Sequence, residues 1–169
     1  MMKYLIALMM LISLPLAADS EWDKVQQALT EPTQITVYRS PNCQCCHKWI
    51  EHLKKHDFTV VDEVTHNLEA VAPRQNVPTV MRSCHTAVIN GYLIEGHVPA
   101  QDIKRLLVEK PPVTGLSVPQ MPVGTPGMEM GAKKDNFTVV SFDKDNQFRI
   151  FNHYQVSPNQ QYRSVSTGE

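Results

Sequence analysis

Strand-like and helix-like runs alternate along this chain, and the alternation predicts an α/β fold, a mixed sheet flanked by helices. Two observations carry it. The β-branched and aromatic run Ile35-Thr36-Val37-Tyr38 leads through a cysteine-headed helical stretch to a second such run, Phe58-Thr59-Val60-Val61. That order implies a parallel pair joined by a crossover. Further on, Asn90-Gly91 stands between two apolar runs, the strongest short-range signal for an antiparallel hairpin.

In chain order, Met1-Met2-Lys3 is a short basic start and Tyr4 to Leu14 an apolar run, followed by Leu16-Ala17-Ala18. Residues 1–18 read as a secretory signal peptide, too short for the ~20 apolar residues of a membrane span. No cysteine stands beside the expected cut after Ala18, so no lipoprotein anchor is expected and none to the membrane after cleavage. Residues 19–33 read as a helical extension, with Ser20 as cap, Asp23 answering it, and Trp22, Val25 and Leu29 as an apolar stripe that Pro32 ends.

The main domain is expected over 34–156. Its first helix, Cys46 to His56, buries Trp49, Ile50 and Leu53 and turns lysines outward. Leu68 to Arg74 is a weaker helix, broken at Pro73 and Pro78. The hairpin follows, and Pro99 then opens a helix with Ile103, Leu106 and Leu107 on its core face, stopped by Pro111-Pro112. Val113 to Gly131 is expected as a Met/Pro/Gly-rich loop. Phe137–Phe142 and Phe148–Tyr154 read as an added C-terminal hairpin whose Phe142, Phe148 and Phe151 join the same core. Residues 157–169 read as a loose polar tail.

Sixteen basic and 17 acidic side chains give a net charge of −1, which excludes the basic face that nucleic acid requires. All four cysteines (Cys43, Cys45, Cys46, Cys84) lie beyond the signal. Two structural disulfides are one reading. Three cysteines within four residues close no useful loop, however, and a Cys45–Cys46 bond would be strained.

Strand, cysteine-headed helix, strand, helix, hairpin, helix is the thioredoxin/glutaredoxin order. In that layout the residue ahead of the hairpin's first strand faces the amino end of the first helix. Thioredoxins place a cis-proline there; here Cys84-His85 takes the position, bringing a fourth sulfur to the other three. Thiolates at a helix start meet unpaired N–H groups and the positive end of the dipole, which lowers their pKa. Cys43 and Cys46 alone make the C-x-x-C pair of thiol–disulfide exchange, but Cys45 could capture a mixed disulfide.

Four thiolates together carry about −4 and call for soft cations, for which Cu(I), zinc and iron–sulfur centres compete. Structural zinc favours two separated cysteine pairs and iron–sulfur clusters a wider spacing. Copper fits better, since sulfur can bridge several Cu(I) ions. His85 points to the opposite strand face unless the backbone bends there. His97 opens the last helix as ligand, cap or hydrogen-bonding group, and His47 points outward. His52 and His56 lie too far along their helix, two turns rising ~10 Å; with His66 and His153 they read as surface or core-edge residues. Met121 and Met128 are either thioether donors or gap fillers.

With these residues assembled, the chain resembles the bacterial thioredoxin-like metal-binding family that includes the periplasmic copper-resistance protein CopG. The marks are Ser40-Pro41-Asn42-Cys43-Gln44-Cys45-Cys46 with Trp49 and His52, then Ser83-Cys84-His85-Thr86-Ala87, Gly91-Tyr92, Glu95-Gly96-His97-Val98-Pro99, and Met121-Pro122 through Pro126-Gly127-Met128-Glu129. Gln44 stands where the family usually has glycine, which removes no ligand. The resemblance implies a periplasmic protein with a multinuclear copper cluster bridged by cysteine sulfur, and a part in copper resistance. The matching metal positions are Cys43, Cys45, Cys46 and Cys84, with His85, His97, Met121 and Met128 as further donors. Beyond the resemblance, copper redox is a further expected role, and two alternatives stand beside it: a thiol–disulfide oxidoreductase using Cys43 and Cys46, and delivery of copper to another periplasmic copper protein from the methionine loop.

Overall fold

A parallel and an antiparallel pairing share one strand, next to an edge of the sheet, and the cysteines sit at the end of that strand. The computed structural model describes residues 20–25, 29 and 31–165. The expected signal peptide (1–18) and the end of the tail (166–169) lie outside the described residues. β1 (Thr33–Arg39) and β2 (Phe58–Val64) run parallel, Ile35 opposite Val60, and α1 (Gln44–Lys55) crosses between them. Trp49, Ile50 and Leu53 of α1 share one core cluster with Ile35 and Val37, while Lys48, Lys54 and Lys55 are exposed. That is the pattern of an amphipathic helix on a sheet.

β3 (His85–Ile89) and β4 (Tyr92–Glu95) form the expected hairpin. Asn90 and Gly91 both take positive φ, 46° and 85°, as its two-residue turn requires. α3 (Ala100–Glu109) follows with Pro99 as its cap rather than its first residue, and buries Ile103 and Leu106. β3 lies beside β1 with His85 opposite Arg39. The chain leaving β1 towards Cys43 and the chain reaching β3 from Cys84 therefore run side by side.

Several expectations need correction. Val113 to Gly131 is not all loop: β5 (Gly115–Ser117) pairs with β4 and with β6 (Phe137–Phe142), which pairs with β7 (Phe148–Val156). The C-terminal hairpin thus continues the sheet instead of being appended to it. Three residues are too few to display an alternation, and a Cβ on Gly115 would collide with the Leu93 carbonyl. The described part of the tail is not loose either, since β8 (Tyr162–Ser164) pairs with β7. Among the described residues the sheet order is β2-β1-β3-β4-β5-β6-β7-β8.

Among its described residues the N-terminal extension makes one 3-10 turn, Glu21–Asp23, capped by Ser20, and is extended at Lys24. Trp22 anchors it: the ring lies 5.0 Å from that of Tyr162 and Nε1 donates to the Gly124 carbonyl at 2.7 Å. Val25 is exposed and adds nothing to the stripe. Residues 68–74 divide into a 3-10 turn (Leu68–Ala70) and α2 (Ala72–Gln75), where Pro73 occupies the first turn instead of breaking the helix. Phe142 packs in a separate small cluster with Val77, Met81 and Leu93, and Phe148 is exposed. No described helix is long and apolar enough to cross a membrane.

Candidate metal centre

Cys43 is the N-cap of α1, its carbonyl accepting from the His47 N–H at 3.2 Å, so Cys45 and Cys46 fall in the first turn. Cys43 and Cys46 are joined in a disulfide with Cα atoms 5.3 Å apart, and Cys45 and Cys84 are free. The reading of two structural disulfides therefore does not hold. Cys45 Sγ lies 3.5 Å from Cys43 Sγ, and Cys46 Sγ lies 3.5 Å from the Cys84 carbonyl oxygen. All four sulfurs fall within 4.8 Å of one another. Strand order had placed Cys84 opposite the trio, and it is there.

Cys84 belongs to a second group as well, with one ring nitrogen each from His85 and His97, again within 4.8 Å. Its sulfur is 3.3 Å from His85 Nδ1 and 3.2 Å from His97 Nε2. His85 thus reaches its neighbour's sulfur rather than facing away from it. His97 Nδ1 donates to the Pro126 carbonyl at 2.7 Å. A carbonyl only accepts, so the proton is held on Nδ1 and the Nε2 lone pair faces Cys84. Metal-ligating imidazoles are commonly oriented this way. His85 stacks on Trp49 at 4.3 Å, and its Nε2 is buried without a hydrogen-bond partner.

Burial pushes the Cys84 thiol up to about 12, and Cys45 beside it acts in the same direction. Burial takes His97 down to about 4 against the pull of the Pro126 carbonyl, and holds His85 well below the usual histidine range. The group therefore presents neutral imidazoles and a thiol that gives up its proton only to a tightly bound cation. Sulfur with imidazole nitrogen is the donor set of a soft metal.

Met121 and Met128 lie on a loop that closes over this centre. Gly127, at φ +82°, is placed where a Cβ would come within 2.7 Å of Trp49 N and 2.8 Å of the Cys45 carbonyl. Ser83 Oγ donates to the Gln120 carbonyl at 2.8 Å, which brings the other end of the loop beside Cys84. Met128 is buried; Met121 is exposed.

His47 and His66 are exposed as expected, but His52 and His56 are buried. His52 Nε2 accepts from the Ala100 N–H at 3.0 Å and His56 Nε2 donates to the Trp22 carbonyl. Tertiary hydrogen bonds, not a helical pattern, set their position. Glu95 and Arg74 went unrecognised: Glu95 is fully buried at the end of β4 and bonds Arg74 at 2.6 Å. An acidic residue closing the apolar run Tyr92-Leu93-Ile94 was the available signal.

Residues 81–128 match a family model described as "Protein of unknown function, DUF411". Two solved structures described as copper resistance protein CopG, forms 2 and 1, are similar to this chain. The first is 46% identical, with a TM-score of 0.70, covering 74% of this chain and 100% of its own. The second is 47% identical, with a TM-score of 0.68, covering 73% and 98%. A comparison with curated proteins gave no match.

Proposed function

The chain belongs to the family of CopG copper resistance proteins, and on that premise we propose that it binds Cu(I) in the periplasm through the thiolates of Cys43, Cys45, Cys46 and Cys84. Four sulfurs converging within 4.8 Å are the observation that carries this reading. Once the Cys43–Cys46 bond is reduced, the crowded negative charge is relieved by soft cations, and sulfur shared between ions makes the site multinuclear. Cys84 is the natural bridge, because it belongs both to the sulfur group and to the group with His85 and His97. Met121 and Met128 add thioether donors from the loop. The scaffold is thioredoxin-like, residues 1–18 direct export, and the cellular role is copper resistance, with hand-off to another periplasmic copper protein.

The disulfide gives the site a redox capacity. Closing it from two thiols releases two electrons and two protons, enough to reduce two Cu(II) to two Cu(I). The same bond, at the amino end of α1, favours a second reading, thiol–disulfide exchange by Cys43 and Cys46. Insulin reduction separates the two: a Cys45→Ser variant that keeps full reductase activity favours exchange. For copper, anaerobic titration of the reduced protein is expected to give at least one tightly held ion per chain. Changing Cys43, Cys45 and Cys46 together to serine is expected to abolish it. Substoichiometric binding, or full binding by the triple variant, would overturn the reading.

A further inference from the structure

Cys84 lies in the loop before β3, where no helix or strand fixes its backbone. All three polar groups of its neighbour Ser83 are nevertheless held. The Ser83 N–H donates to Glu95 Oε1 at 2.6 Å, its carbonyl accepts from Arg74 Nη2 at 3.1 Å, and its hydroxyl donates to the Gln120 carbonyl at 2.8 Å. Glu95 and Arg74 bond each other at 2.6 Å, and Thr86 Oγ1 donates to Glu95 Oε2 at 2.7 Å. Glu95 is 0% exposed and Arg74 5%.

We propose that the buried Glu95–Arg74 pair is the positioning device that fixes Cys84 against the other three sulfurs. The pair holds this segment from both the N–H and the carbonyl of Ser83. The geometry is specific: one carboxylate oxygen serves both the guanidinium and the Ser83 N–H, and the same guanidinium reaches the Ser83 carbonyl. A buried pair of this kind is weak support for stability and better suited to fixing one arrangement. Its other contacts fit that role. Arg74 Nε donates to Glu69 at 2.9 Å, which ties the 3-10 turn ahead of α2 into the same network, and the Glu95 carbonyl accepts from Val118 N–H at 3.0 Å, joining it to the start of the methionine loop. Among the described residues neither is hydrogen-bonded to a sulfur; both act through Ser83 and Thr86, on either side of Cys84.

This inference deepens the copper reading and rests on it only in part, because positioning can be read without metal. In the reduced, metal-free protein, alkylation by iodoacetamide followed by peptide mass mapping gives separate rates for Cys84 and Cys45. Glu95→Gln is expected to speed alkylation of Cys84 severalfold, because a released segment exposes its thiol more often, and to leave Cys45 nearly unchanged. Arg74→Lys, which keeps the charge but not both contacts, is expected to give an intermediate rate and serves if Glu95→Gln folds poorly by far-UV circular dichroism. A Cys84 rate unchanged in the folded variants, or a matching rise at Cys45, would overturn the proposal. In copper titrations Glu95→Gln is expected to weaken Cu(I) binding about tenfold in the native background and to have no effect beside Cys84→Ser. Additive losses would contradict action through Cys84. Absence of copper binding by the unsubstituted protein would remove the copper reading and leave positioning to be decided by the alkylation rates.

Discussion

Replacing Cys84 with serine is expected to weaken Cu(I) binding by more than about a hundredfold, beyond the 10–100-fold typical of losing an outer-sphere partner. Cys84 is the one side chain common to both donor groups. Without it, Cys43, Cys45 and Cys46 remain as sulfurs on a single loop and helix turn. His85 and His97 then keep their nitrogens but lose the sulfur 3.3 and 3.2 Å away. Serine is nearly isosteric and Cys84 itself is half-buried, so the fold should lose about 1 kcal/mol, the centre of the range for single substitutions. Competition with a Cu(I) chelator, beside a denaturation curve of the metal-free protein, separates the two effects. Affinity within about tenfold of the unsubstituted protein would show that the trio binds copper alone.

Acid is expected to destabilise the metal-free protein well above the range where carboxylates titrate. Burial lowers His52 well below its ordinary 6.5, helped by His56, Lys55, Lys104 and His97. Burial also lowers His56, with Lys104 adding and the Trp22 carbonyl, Asp23 and Asp57 opposing. A depressed folded-state pKa means that the unfolded chain takes up the proton first. Stability from these groups is therefore complete above about pH 6.5 and is lost as pH falls, by about 1.4 kcal/mol per pH unit for each histidine. His85 and His97 add to the slope in the metal-free chain. Burial raises Asp102 and Glu95, whose protonation offsets part of the loss at lower pH. The denaturant midpoint should fall clearly between pH 7 and about 5. His52→Gln, which can still accept from the Ala100 N–H, should flatten the profile; a flat profile in the unsubstituted protein would contradict the buried, neutral state of these rings.

The chemistry was legible in the sequence where it is local. Cys43, Cys45 and Cys46 announce themselves by spacing, and Asn90-Gly91 located the hairpin, hence Cys84 just ahead of its first strand. Parts set by distant contacts left no such trace. β5 is three residues long and held by its neighbours, and β8 gains its place from β7 and from the packing of Tyr162 on Trp22. His52 and His56 sit among lysines and read as surface or core-edge residues; the Ala100 N–H and the Trp22 carbonyl, both remote in the chain, draw them inside. The Glu95–Arg74 pair joins residues from separate elements, so neither residue's own surroundings in the sequence named its partner.

X-ray absorption at the copper edge, on protein isolated from copper-fed cells, tests the central assignment most directly because it reports element, valence and neighbouring atoms together. The expected result is Cu(I) surrounded mainly by sulfur, with copper–copper scattering from a shared cluster and loss of the sulfur signal in the Cys84→Ser variant. Protein that carries no copper, or copper bound only to nitrogen and oxygen, would contradict it.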